Sequence, residues 1–140
     1  MQPYVSLFAA DNRVKVLNSD FKYRDIYAQS NLIVTDYSSA VFDFAYLRKP
    51  IIYSQFDKEE FFSGNHTYTK GYFEYERDGF GEVEYDLEST VTRIIEYMEH
   101  DCQLKEKYRK RIDNFFAFND KNNCQRVYNE ILKLTLQENE

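Results

Sequence analysis

Apolar residues follow two rhythms along the chain. Leu32-Ile33-Val34-Thr35 and Ile51-Ile52-Tyr53 are short runs without alternation, the pattern of buried strands. Between them, Val41, Phe42, Ala45 and Leu47 recur at helical spacing and predict a helix over 39–47, which Pro50 brings to an end. Val14–Leu17 predicts a further short strand, and Tyr23–Gln29 a helix with Asp20 as its cap. The last third carries three stripes at 3.6-residue spacing. They are Leu87, Val91, Ile94, Ile95 and Met98, capped by Asp86; Leu104, Tyr108, Ile112, Phe115 and Phe116; and Cys124, Val127, Tyr128, Ile131 and Leu134. All three are expected to be core. Tyr4–Ala10 is a short helix or a frayed end, and the residues from Gln137 onward are expected to fray.

Strand, helix and strand in succession predict parallel pairing through a right-handed crossover, with Leu32–Thr35 as the central strand. The fold class expected is α/β, with helices flanking a parallel sheet and a helical C-terminal third. Ligands of such sheets sit beyond the carboxyl ends of the strands, where Asp36–Ser39 and Ser54-Gln55 gather. Ser38 or Ser39 suits the N-cap of the following helix, whose free amides attract anions, phosphate above all. As plain caps, the same serines only start a helix. Neither GxGxxG nor GxxxxGK[ST] occurs, so dinucleotide and P-loop sites are excluded.

The segment Phe56–Gly81 is the most irregular, and a loop of that length is more often functional than idle. It holds His66, which is a general base, a phosphate contact or merely solvated. Lys70-Gly71 pairs a point charge for phosphate with a backbone that a ligand can approach closely. Asp36 carries the wrong sign to hold phosphate and is expected to orient the turn or accept a ligand hydrogen bond. Asp43 complements the helix dipole. In the polar turn 118–123, Asn122 or Asn123 is expected to cap the last helix.

A net charge of −6 argues against nucleic acid, whose phosphates reward clustered Lys and Arg. No apolar stretch approaches the ~20 residues of a membrane span, and no signal peptide is visible at Met1. Cys102 and Cys124 lack metal-ligand spacing and are expected to be buried, reduced thiols of a cytoplasmic protein. No metal or cofactor is expected. The 13 Tyr and 12 Phe fit core and partner interface better than base stacking, with Phe56, Phe61 and Phe62 as a candidate exposed patch.

The stretch Asn31-Leu-Ile-Val-Thr-Asp-Tyr-Ser-Ser-Ala-Val-Phe-Asp-Phe-Ala45, followed by Arg48-Lys49-Pro50-Ile51-Ile52-Tyr53, resembles the C-terminal part of the CDP-glycerol glycerophosphotransferases. These are the teichoic acid polymerases and primases. The similarity continues through Lys70–Glu76, Asp78–Gly81, Asp120-Lys121 and Arg126–Tyr128, and so covers most of the chain from Val14. The resemblance implies a two-domain transferase of the GT-B type, whose Rossmann-like C-terminal half holds the donor nucleotide. On that expectation the chain is a single donor-binding domain, 1–140, about half of what two domains need. Alone it is expected to bind donor weakly and not to turn over.

The reaction implied is attack by a polymer-end hydroxyl on the β-phosphorus of CDP-glycerol or a related CDP-polyol, with CMP leaving. The resemblance places donor contacts at Thr35, Asp36, Tyr37, Ser38, Ser39, Lys70, Gly71 and Arg126, with further contacts at Gln2, Pro3, Gln55, His66 and Asp120. Gln2-Pro3 stands where relatives commonly carry His-Pro. The partners implied are the donor, a polyol-phosphate acceptor and an N-terminal domain, on the cytoplasmic face of the membrane. Two other readings compete: the donor half of a UDP- or GDP-sugar glycosyltransferase, and a non-catalytic α/β interaction module.

Overall fold

The computed structural model describes residues 11–17, 20–64 and 71–137. Helix α1 (Tyr23–Gln29) leads into strand β1 (Ile33–Thr35). Helix α2 (Val41–Tyr46) then crosses back to strand β2 (Ile51–Ser54). The two strands pair in parallel, as the strand–helix–strand order predicts, with Ile33 opposite Ile51 and Thr35 opposite Tyr53. A third strand, β3 (Glu82–Glu84), pairs in parallel with β2, Ile52 opposite Glu82 and Ser54 opposite Glu84. Its sequence, Glu-Val-Glu, has too little apolar character to announce a strand.

The strand order β1-β2-β3 corrects one expectation. The middle strand is β2, whose Ile51, Ile52 and Tyr53 are fully buried. β1 is an edge strand among the described residues, and its Val34 is 42% exposed. Val14–Leu17 forms no strand, and its Val14, Val16 and Leu17 are exposed. Tyr4–Ala10 lies outside the described residues.

The turn around Pro50 shows why the chain reverses where it does. Arg48 adopts the left-handed conformation (φ 57°), which stops α2, and Pro50 then enters β2. Lys49 reaches back to the end of α1. Its Nζ donates to the carbonyls of Tyr27 (2.6 Å), Ala28 (3.1 Å) and Ser30 (2.6 Å). These are the last carbonyls of α1 and its cap, which no helical amide satisfies. Asp20 does not cap α1: the cap position is Lys22, without a side-chain bond.

The core gathers Tyr27, Val41, Phe44, Ala45, Ile51, Tyr53, Phe80 and Ile112. Two short helices, α3 (Lys58–Phe61) and α4 (Tyr75–Asp78), punctuate the segment expected to be irregular. Helix α5 (Leu87–Glu99) packs on β2 and β3. Asp86 caps it as predicted, accepting from the Ser89 amide at 2.8 Å. Helix α6 (Glu106–Phe115) buries Tyr108 and Ile112, two residues of its predicted stripe.

The other two stripes are not core. On α5, Thr90 and Tyr97 face inward, while Leu87 is 78% and Met98 66% exposed. On helix α7 (Asn123–Gln137), Val127, Tyr128, Ile131 and Leu134 are all exposed. Periodicity identified these faces as apolar, but it carries no information about whether a partner surface lies opposite. Cys102 is half-buried and Cys124 exposed, so the expected burial of both fails; both thiols are free.

A buried ionic cluster ties β3 to α6. Glu82, 8% exposed, accepts from Lys105 (2.8 Å), Lys107 (3.3 Å) and the Tyr108 hydroxyl (2.6 Å). Burial raises its carboxyl, but the two ammonium groups and the phenol outweigh that and hold it below its ordinary value. Among the described residues, no helix is long and apolar enough to cross a membrane.

Candidate functional site

Parallel pairing sets the ends of β1, β2 and β3 side by side, so the segments that follow them share one edge. β1 ends at Thr35 and Asp36 follows it, with the Thr35 hydroxyl 3.5 Å from the exposed Asp36 carboxylate. Ser38 and Ser39 follow, both exposed. Neither is the cap residue of α2, which is Ala40 without a side-chain bond. Ser38 works one step earlier: its Oγ accepts from the Ala40 amide at 3.3 Å, and its carbonyl receives the Val41 amide at 3.4 Å. The Ser39 carbonyl receives the Phe42 amide at 3.1 Å. The serines thus shape the turn and keep their side chains at the surface. Asp43 stands in the first turn of α2, as the dipole argument requires.

Tyr37, expected among the donor contacts, has its ring buried. It is 6% exposed, stacks on Phe61 with ring centres 3.7 Å apart, and donates to Asp57 Oδ1 at 3.0 Å. Burial pushes its phenol up, and Asp57 beside it adds to the shift. Phe62 meets the same ring edge-on at 5.5 Å. Of the three phenylalanines expected in an exposed patch, only Phe56, 73% exposed, is fully presented; Phe61 and Phe62 pack on Tyr37.

Behind β2 the edge opens into a cavity of about 870 Å³ lined by Gln55, Phe56, Asp57, Lys58, Glu59, Glu60, Phe62 and Tyr85. Tyr37, in the chain segment of the serine turn, is bonded to Asp57 on the wall of this cavity. Lys58 pairs with Glu76 and donates to the Tyr85 hydroxyl at 3.2 Å. Burial pulls the ammonium down, but Glu76 and Tyr85 more than offset it and hold Lys58 above its ordinary value. Lys58 and Tyr85 in turn hold the Glu76 carboxyl down at about 2. Sequence reasoning missed this trio, because Glu76 and Tyr85 lie 18 and 27 residues from Lys58 and only the loop's path unites them.

Gln55 forms the end of the β2 ladder. Its amide N–H donates to the Glu84 carbonyl at 2.7 Å, while its side chain is 1% exposed. Among the described residues, neither side-chain Oε1 nor Nε2 has a hydrogen-bond partner. A buried polar group left unpaired costs about 1–3 kcal/mol.

Arg126 and Asp120 hold each other. The Arg126 guanidinium donates to Asp120 Oδ2 and to Asn123 Oδ1 (2.7 Å) and lies 3.7 Å from the Phe118 ring centre. Arg126 holds the Asp120 carboxyl below its usual range. The Tyr46 hydroxyl, from the last turn of α2, donates to the Asp120 carbonyl at 3.1 Å. No hydrogen bond or ion pair joins this group to residues 35–39 among the described residues. Gly71 is exposed, with open space around it. Gln2, Pro3, His66 and Lys70 lie outside the described residues. Among those described, no cluster of His, Cys, Asp and Glu could hold a metal ion.

Comparison with known proteins adds four findings. A family described as CDP-Glycerol:Poly(glycerophosphate) glycerophosphotransferase matches residues 2–133. The chain is 40% identical over 134 residues to the minor teichoic acid biosynthesis protein GgaB of Bacillus subtilis (strain 168). It is 28% identical over 110 residues to the teichoic acid poly(glycerol phosphate) polymerase of the same strain. These alignments take in 96% and 79% of this chain, which spans 14% of each relative's length. The fold is similar to that of the wall teichoic acid polymerase TagF, with a TM-score of 0.54 and 19% identity over 82% of this chain and 27% of that one.

Proposed function

The chain belongs to the CDP-glycerol:poly(glycerophosphate) glycerophosphotransferase family, and from that premise we propose that it is the donor-binding domain of a transferase that builds a teichoic-acid-like polymer. The donor is CDP-glycerol or a related CDP-polyol. An acceptor hydroxyl at the polymer end attacks the β-phosphorus, a new P–O bond forms, and the bond to the bridging oxygen breaks to release CMP. The acceptor proton passes to a base outside this domain, on an N-terminal domain that completes the enzyme at the cytoplasmic face of the membrane. The family match carries this reading.

Catalysis of this kind is chiefly positioning and neutralisation of charge on the leaving group. The exposed Ser38 and Ser39 hydroxyls suit that task at the edge where parallel sheets take their ligands. Lys70 supplies charge from the loop that follows β2. Arg126 is engaged with Asp120 and reaches a phosphate only by releasing it. A UDP- or GDP-linked donor is the second reading.

Calorimetric titration with CMP, CDP-glycerol, UDP and GDP separates these readings. Cytidine preference supports the first, and uridine or guanosine preference the second. Replacing both serines (Ser38→Ala with Ser39→Ala) is expected to weaken CDP-glycerol binding by tenfold or more. Unchanged affinity would remove the phosphates from this turn.

A further inference from the structure

The unpaired amide of Gln55 is hard to explain by folding alone. A leucine or methionine of similar volume would fill the same space without burying a donor and an acceptor. Natural chains keep such costly groups chiefly where function uses them. Gln55 lines the cavity behind β2, yet its amide atoms are shut off from solvent. To meet a ligand in the cavity the amide would have to turn about its side-chain torsions.

The chemistry of the cavity restricts that ligand. An amide offers donors on one side and an acceptor on the other, so a full match needs an adjacent donor and acceptor. Phosphate has acceptors only. Asp57, Glu59 and Glu60 on the wall repel anions, and Lys58, the one lysine lining it among the described residues, is already paired with Glu76. Phe56, Phe62 and Tyr85 offer aromatic surface to a flat, uncharged group. We propose that Gln55 reads the hydrogen-bonding edge of the donor's nucleobase, with Oε1 accepting from an exocyclic amino group and Nε2 donating to the neighbouring ring nitrogen. This rests on the nucleotide-donor reading and assigns its base to the cavity, whose wall residue Asp57 is bonded to Tyr37 beside the serines.

The test uses four probes on the protein: cytidine, CMP, inorganic pyrophosphate and the pyrimidinone riboside that lacks the 4-amino group. Gln55→Leu is expected to weaken cytidine and CMP at least tenfold, to leave pyrophosphate unchanged, and to hold or raise the melting temperature. Wild type is expected to lose a similar factor for the riboside lacking the amino group, while Gln55→Leu no longer distinguishes it from cytidine. Gln55→Met serves the same comparison if the leucine variant does not fold. CMP binding that survives both substitutions, in a protein of equal or higher stability, overturns the inference and leaves the amide serving a buried water. Failure of wild type to bind any nucleotide overturns the donor reading and this inference with it.

Discussion

Gly81→Ala tests the pairing that brings the strand ends to one edge. A Cβ on Gly81 would lie 1.9 Å from the Ile51 carbonyl oxygen and 2.5 Å from its carbon. Both are backbone atoms of the middle strand, so no rotamer change relieves the contact. Reaching even 3.0 Å requires the two backbones to part by about 1 Å. The neighbouring pair Ile52 and Glu82 would be pulled out of register geometry, and the buried Ile51, Tyr53 and Phe80 would lose contact. Two strained ladder bonds at about 1 kcal/mol each, with overpacking of about 1–3 kcal/mol, give a loss of roughly 3 kcal/mol or more. In a chain of this size that lowers the melting temperature by about 10 °C. Thermal unfolding followed by circular dichroism measures it. Gly71→Ala is the control, since nothing lies within 4 Å of its added Cβ. A Gly81→Ala protein that melts within about 2 °C of wild type would refute the close β2–β3 approach.

Other perturbations probe separate parts of the fold. Glu82→Gln leaves Lys105 and Lys107 without their buried carboxylate and is expected to cost about 1–3 kcal/mol in chemical denaturation at pH 7. Because Glu82 titrates lower in the folded protein than its ordinary 4.5, its stabilisation is present above that pH and disappears as pH falls through the folded value. The gap between Glu82→Gln and wild type should therefore close in acid; a gap independent of pH would contradict the ionic account. Asp86→Ala removes the α5 cap and is expected to cost about 1 kcal/mol, with little change in any nucleotide affinity. Phe61→Ala takes the stacking partner from Tyr37 and should raise fluorescence quenching of tyrosine by acrylamide; an unchanged quenching constant would place the Tyr37 ring elsewhere.

By itself the sequence determined the local elements and the family. Unbroken apolar runs marked β1 and β2, helical spacing marked α2 and α6, and Asp86 announced its cap, because each of these depends on residues within a few positions of one another. The Thr-Asp-Tyr-Ser-Ser stretch pointed to the family that the comparison then showed. Only the tertiary structure decided what each face meets. It made β2 the middle strand, recruited the polar Glu82–Glu84 as β3, turned Thr90 and Tyr97 rather than Leu87 and Met98 inward, and buried Tyr37 against Phe61. It also left the buried Gln55 amide without a partner among the described residues. These outcomes depend on contacts between residues far apart in the chain, and periodicity measures how apolar a face is without measuring what stands opposite it.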